Sequence, residues 1–111
     1  MSKSQVPEQF RDYPCEDYFA SGFERQGFYS PTEQYALVEK VESLEERKYE
    51  EDGVSAEFLS IGGPGVDGIL WGYRKNMPGI WAWFPIDGKF RYLAKTVEAL
   101  LRGWYAGEIR V

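Results

Sequence analysis

The spacing of apolar residues changes near residue 57, from a repeat of three and four to short apolar runs broken by turns. Before this point, five apolar residues recur at the spacing of one helix face, namely Tyr35, Leu37, Val38, Val41 and Leu44. Ser30 and Glu33 match a capping box ahead of them, and Gly53 supplies a stop signal. The pattern predicts an acid-rich helix over residues 32–52.

After residue 57, runs rich in aromatic and β-branched residues alternate with turn sequences. The runs are EFLSI, GILWGYR, GIWAWF and KFRYLA, and the turns between them are GGPGVD, KNMP and PIDG. Short apolar runs separated by such turns predict an antiparallel meander of strands.

A second helix is predicted after the meander, in the sequence KTVEALLRGWYAG. Its apolar residues lie at i, i+3, i+4 and i+7: Val97, Leu100, Leu101 and Trp104. Thr96 is the candidate N-cap, Gly107 follows the helix, and we expect EIRV to close the chain as a short edge strand. The order of elements predicts an α+β fold, with an antiparallel meander sheet of about four to six strands and helices packed mainly on one face.

The length of the chain fits one domain over residues 1–111. A composition that is 43% hydrophobic is enough to fill a single core. Residues 1–30 show no sustained period, and we expect a short helical turn over residues 7–13 followed by irregular or edge structure. The apolar runs are far shorter than the roughly 20 residues of a bilayer span, and MSKSQVPEQF lacks the layout of a signal peptide. We therefore expect a cytoplasmic protein.

The chain contains no histidine and a single cysteine, Cys15. Without histidine, the commonest general base and metal ligand are missing, so we expect a protein that is not an enzyme and has no catalytic residue, cofactor or metal. A lone cysteine cannot form an internal disulfide, and we expect Cys15 to be a partly buried thiol. The net charge is -5, and residues 31–57 carry nine acids against three bases. This acidic stretch favours a basic partner and argues against nucleic acid.

The stretch IGGPGVDG contains the spacing G-x-G-x-x-G at Gly63, Gly65 and Gly68. A dinucleotide-binding loop with this spacing precedes a helix, whereas the next predicted element here is the strand GILWGYR. We interpret the stretch as a turn with positive φ at one or more glycines. Asp67 and Asp87 lie in Asp-Gly turns, and with the loop they remain the candidate groups of an alternative, a small hydrolase or nucleotide-binding enzyme.

Both faces of the strand GIWAWF are apolar, because Trp81 and Trp83 alternate with Ile80 and Ala82. Helices cover one sheet face, and the other face needs cover either from residues 1–30 or from a partner. Aromatic side chains are frequent anchors of protein interfaces. The candidate partner-binding residues are therefore the strand aromatics and the acids of the first helix: Trp71, Tyr73, Trp81, Trp83, Tyr92, Glu42, Glu45, Glu46 and Glu50.

The second half of the chain resembles the C-terminal half of the SUKH superfamily, which contains fungal cell-wall-assembly regulators and bacterial immunity proteins. The matching features lie at residues 61–63, 67–69, 72–74, 80–87, 97–104 and 107–111. The N-terminal part over residues 1–30 is short or divergent, because VPEQF matches only the first part of the family's opening motif and no Asn-Gly turn follows.

The resemblance implies a non-enzymatic α+β domain that binds another protein, in bacteria typically a toxin, often a nuclease, which it neutralises. A basic toxin domain would suit the acidic stretch, and both a monomer and a homodimer remain open. A third interpretation is a small-ligand-binding protein with a pocket between the sheet and the N-terminal segment.

Overall fold

Seven strands and three short α-helices make up residues 6–111, the part of the chain that the computed structural model describes. Residues 1–5 of the predicted N-terminal segment lie outside this range. The strands are β1 (Phe28–Tyr29), β2 (Ala36–Val38), β3 (Glu45–Glu51), β4 (Val54–Gly62), β5 (Leu70–Arg74), β6 (Met77–Phe84) and β7 (Lys89–Ala94). The helices are α1 (Glu16–Ser21), α2 (Phe23–Gln26) and α3 (Val97–Tyr105), and two single 3₁₀ turns lie at Glu8–Phe10 and Val41–Ser43.

The strands form one antiparallel sheet in which β3 to β7 follow each other as a meander. β2 joins β4 at Gly62, on the same edge as β3, and β1 pairs with β2. The predicted α+β fold with an antiparallel meander is therefore confirmed. Within residues 6–111, no helix has the length and apolar character needed to cross a bilayer.

The main core lies between the sheet and the helices α1 and α3. Because side chains alternate along a strand, every second residue of the meander points to this side. The buried sheet residues here are Leu59, Ile61, Trp71, Tyr73, Ile80 and Ala82, and they pack against Tyr18, Phe19, Leu100 and Leu101 of the helices. Helices packed on one face are thus the observed arrangement.

One carboxylate, Asp17, ties α1 to both the sheet and α3. The Tyr73 hydroxyl donates to its Oδ1 at 3.0 Å, and the backbone N–H of Val97 donates to its Oδ2 at 2.8 Å. Burial raises the pKa of Asp17, while the hydrogen bonds from Val97 and Tyr73 act in the opposite direction. The second bond satisfies a free N–H in the first turn of α3, where a negative charge is also favoured.

The C-terminal helix matches its prediction. The Thr96 side chain accepts a hydrogen bond from the Ala99 N–H at 3.1 Å, which makes it the N-cap. Gly107, with a φ of 77°, follows the helix in the left-handed region that ends helices. EIRV forms no strand, so that prediction is wrong.

The predicted helix over residues 32–52 is also wrong. The local capping signal is real, because the Ser30 hydroxyl accepts a hydrogen bond from the Glu33 N–H at 3.2 Å. The turn stops at once, since Gln34 takes a φ of 61° and the chain enters β2. The acidic residues that follow form β3, which pairs along its whole length with β4.

The N-terminal segment is more helical than expected. The turn at Glu8–Phe10 agrees with the prediction for residues 7–13, but α1 and α2 were not predicted. The same segment buries Cys15 completely rather than partly. Burial, with help from the neighbouring Glu16 and Asp17, raises the pKa of the Cys15 thiol to about 12.

Replacement of Asp17 by alanine should lower the free energy of unfolding by about 2–4 kcal/mol, because two hydrogen bonds are lost and the Tyr73 hydroxyl stays buried without an acceptor. Urea denaturation measures this difference. Glu98→Ala is the control, since Glu98 is an exposed carboxylate paired with Arg102 on α3 and should contribute about 0.5 kcal/mol or less. Equal losses in the two variants would contradict the role given to Asp17.

Cys15 should react with a thiol reagent such as DTNB only when the fold opens, because it is both buried and protonated at neutral pH. We expect one thiol per chain to react promptly in denaturant and almost none in native buffer over the same minutes. Prompt labelling of the native protein would contradict the packing of α1 against the sheet.

Candidate functional site

The sheet face opposite the helices carries a second, smaller core. Phe58, Trp83 and Phe90 are buried there, and Tyr49 packs on them. The Tyr49 ring stacks on Trp83 with the centroids 4.3 Å apart and the planes 15° from parallel. Tyr49 lies on β3 and Trp83 on β6, with β4 and β5 between them in the sheet, so the stack requires the sheet to curl over its own second face.

The tip of the β3–β4 hairpin holds this curl in place. Glu51 accepts a hydrogen bond from the Phe90 N–H at 2.8 Å, and Lys89 bonds to Asp52 at 3.1 Å. The Phe90 N–H therefore pairs with a carboxylate instead of with another strand. The second face was expected to need cover from residues 1–30 or from a partner. In the structure β3 covers part of it, and no residue of 6–30 belongs to this second core.

The Arg74 side chain is largely buried and packs on the aromatic rings of this second core. Its guanidinium carbon is 4.2 Å from the ring centre of Phe90 and 4.8 Å from that of Trp81, which are cation–π distances. Its Nη2 is 3.8 Å from Glu51, and its buried Nε has no hydrogen-bond partner in the described structure. The arginine is thus held in one orientation by stacking, with hydrogen-bonding capacity left over.

Exposed apolar side chains surround Arg74 and define what we call the Trp81 patch: Val54, Met77, Trp81 and Tyr92. Val54, Met77 and Tyr92 are 67%, 36% and 51% exposed, and Trp81 is half-buried. Trp81 and Tyr92 pack edge to face with centroids 5.5 Å apart. The ring of Tyr92 also lies over Gly79, at the place that a side chain would occupy. Rigid aromatics around an arginine are typical of interface anchors.

The Trp81 patch borders a depression of about 340 Å³, which Val54, Arg74 and Met77 help to line. Glu57 and Lys75 form an ion pair at its wall. An ion pair therefore borders the Trp81 patch on this side, as polar residues commonly do at the rim of a protein interface.

The predicted aromatic candidates divide into two groups. Trp81 and Tyr92 lie at the surface, as described above. Trp71 and Tyr73 are fully buried in the main core, and Trp83 is only 7% exposed in the second core. These three residues cannot contact a partner in the folded protein, because helices or the curled hairpin cover them.

The predicted acidic candidates are exposed, but they do not lie on one helix face. Glu42 lies in the 3₁₀ turn, and Glu45, Glu46 and Glu50 lie on β3. Alternation along β3 sends Glu45 to the second face and the other two strand residues to the opposite side. The acids consequently line the edge of the sheet on both of its sides.

The glycine loop connects β4 to β5, so no helix begins after it. Gly65 and Gly68 have φ values of 84° and 68°, which confirms the predicted turn with positive φ. Tyr35 packs against Gly65 and donates a hydrogen bond to the Pro64 carbonyl at 2.6 Å. The loop is shaped by this contact.

Asp67 and Asp87 line one depression of about 300 Å³ together with Arg91. Both aspartates are exposed at turns, where water solvates their carboxylates. Within residues 6–111, no group of three or more acids or cysteines is placed to hold a metal ion.

A groove of about 490 Å³ runs between the glycine loop and the start of β3, with Tyr35, Glu39 and Arg47 on its walls. The small-ligand interpretation expected its pocket elsewhere, between the sheet and the N-terminal segment. Phe10, Tyr13 and Tyr18 belong to the main core in that region. The groove lies on the other side of the sheet, where Arg47, Ser60 and Leu70 line it.

A scan against models of protein families finds no match for the chain, and searches of curated proteins and of solved structures find no significant match either. The resemblance to the SUKH superfamily therefore rests on the sequence motifs and stays a prediction.

Sequence reasoning missed Arg74, Val54 and Met77 as members of the surface. A signal for the hairpin was present, because Asp52-Gly53 is a preferred two-residue turn with seven residues able to pair on each side. Recognition of that hairpin would have extended the β4 strand back to Val54 and exposed it at the turn.

The two groups of aromatics should differ in their effect on stability. Trp83→Ala should cost about 3–5 kcal/mol because it empties the second core, whereas Tyr92→Ala should cost about 1 kcal/mol or less because half of the ring is in solvent. Chemical denaturation followed by far-UV circular dichroism measures both values. Similar losses of stability in the two variants would contradict the division of the second face into a buried core around Trp83 and an exposed patch with Tyr92.

Proposed function

We propose that the chain is a non-enzymatic protein-binding module, and that the Trp81 patch anchors a basic protein partner. The observation that carries this proposal is the exposed cluster of Trp81, Tyr92, Met77 and Val54 around Arg74. These four side chains do not belong to the main core. Contact with a partner would remove their apolar surface from water, which is favourable.

The chemistry of the patch suits a binding anchor. Trp81 and Tyr92 have few rotatable bonds and support each other, so little conformational entropy is lost when they are covered. Arg74 is already stacked on Trp81, so its positive charge is fixed beside the patch before a partner binds.

Charge supports a basic partner. Residues 39–52 hold seven acids and three bases, and four of these acids lie on β3, within the curled hairpin. Long-range attraction of this kind raises the rate of encounter with a positively charged surface, and it weakens as salt is added.

The resemblance to SUKH immunity proteins narrows the proposal to a bacterial toxin domain, with a nuclease as the leading candidate. A nuclease active site is basic, because it binds phosphates. In the proposed mechanism the acidic hairpin occludes that site and the Trp81 patch supplies affinity, in the cytoplasm and without chemistry.

The test first reads the neighbouring genes for a toxin domain, and then measures its binding to this protein by calorimetry and by inhibition of its activity. Trp81→Ala and Tyr92→Ala should each weaken binding by about tenfold or more, which is about 1.4 kcal/mol. Replacement of Glu45, Glu46 and Glu50 together by lysine should slow association by about tenfold at low salt and by less at high salt.

The matched control replaces Asp67, Asp87 and Glu98 by lysine, which changes the net charge equally at places away from β3. This control should bind nearly as the parent protein does. Binding that is unaffected by the Trp81 and Tyr92 variants would refute the proposed surface, and a toxin that is neither bound nor inhibited would refute the proposed function.

A further inference from the structure

The strand β3 has one paired edge and one free edge. It pairs with β4 from Glu45 to Glu51, and among residues 6–111 no strand pairs with its other edge. A free edge seven residues long offers backbone donors and acceptors that an extended segment of another protein can use.

The turn of the hairpin identifies which backbone groups face outward. Asp52 and Gly53 have φ values of 55° and 82°, as a two-residue type I′ turn requires, and Glu51 pairs with Val54 across it. In such a hairpin the pair next to the turn exchanges both hydrogen bonds, and hydrogen-bonded pairs then alternate along the ladder. The N–H and C=O groups of Glu46, Lys48 and Glu50 therefore point away from β4.

The side chains of Glu46, Lys48 and Glu50 are acidic, basic and acidic in turn along the free edge. If a second copy of the chain paired there about Lys48, it would set Glu46 against Glu50 and lysine against lysine, which is unfavourable in both cases. A strand that reads base, acid, base meets an opposite charge at each position. Because the pattern is symmetric, this holds for both the parallel and the antiparallel direction.

We infer that the free edge of β3 docks an extended strand of the partner, with a basic–x–acidic–x–basic pattern opposite Glu46, Lys48 and Glu50. This inference rests on the proposed function and adds its binding mode: backbone hydrogen bonds give affinity, and the charge pattern gives register and specificity. Charged residues on an edge also protect a sheet from aggregation, and the experiment separates that role from docking.

The probe is a synthetic peptide with both ends blocked, Thr-Lys-Thr-Glu-Thr-Lys-Thr, and its charge-swapped control is Thr-Glu-Thr-Lys-Thr-Glu-Thr. Amide exchange of the whole protein is followed by NMR during titration. At about ten times Kd of the first peptide, exchange of the Glu46, Lys48 and Glu50 amides should slow by about tenfold. The amides of Arg47 and Tyr49 already face β4 and should change little.

A variant with exchanged charges supplies the second arm. Glu46→Lys, Lys48→Glu and Glu50→Lys together should reverse the preference, so that the control peptide binds and the first peptide does not. Because all three side chains are exposed, the variant should keep the fold, which its spectrum reports directly.

Four outcomes would overturn the inference: neither peptide binds, both bind equally, binding leaves the three outward amides unprotected, or ultracentrifugation finds a dimer that protects these amides without peptide. Each leaves the proposed function intact if the toxin domain still binds through the Trp81 patch. If the protein bound the first peptide as expected but did not bind the toxin domain, the proposed function would be refuted instead.

Discussion

Both faces of β6 are apolar, and this constraint decides the shape of the molecule. A strand with large side chains on each side needs two cores, and a chain of 111 residues has few elements with which to build them. The helices cover the side of Ile80 and Ala82. The other side, with Trp83, is covered only because the β3–β4 hairpin bends across it and brings Tyr49 onto the indole ring.

Sequence patterns were sufficient where local rules and tertiary contacts agree. The meander and α3 have clear turns, a side-chain N-cap at Thr96 and a glycine stop at Gly107, and packing reinforces each of these signals. Alternation also showed correctly which residues share a sheet face. It could not show which face becomes covered, and so Trp71, Tyr73 and Trp83 could not be separated from Trp81 and Tyr92.

The region over residues 32–52 shows a local signal that long-range contacts override. Ser30 makes the hydrogen bond expected of a helix cap, but one turn later the chain pairs with β4 instead. The residues of β3 are mostly Glu, Lys and Arg, which favour helices when isolated and carry no strand periodicity. What decides their conformation is the Asp52-Gly53 turn and the ladder beside it, in which packing with Phe58 and Trp83 through Tyr49 stabilises the hairpin.

The same bend explains why the Trp81 patch and the outer edge of β3 stay exposed. Had the sheet closed fully, β3 would pair with β7 and neither strand would keep an edge. Instead, the Glu51 carboxylate takes the Phe90 N–H, and Asp52 takes Lys89, so side chains bridge the gap where a ladder would run. Closure by side chains at the hairpin tip leaves the outer edge of β3 without a neighbouring strand among the described residues and leaves Trp81 at the border of the second core. An incomplete barrel is therefore the physical origin of both the free acidic edge and the aromatic patch.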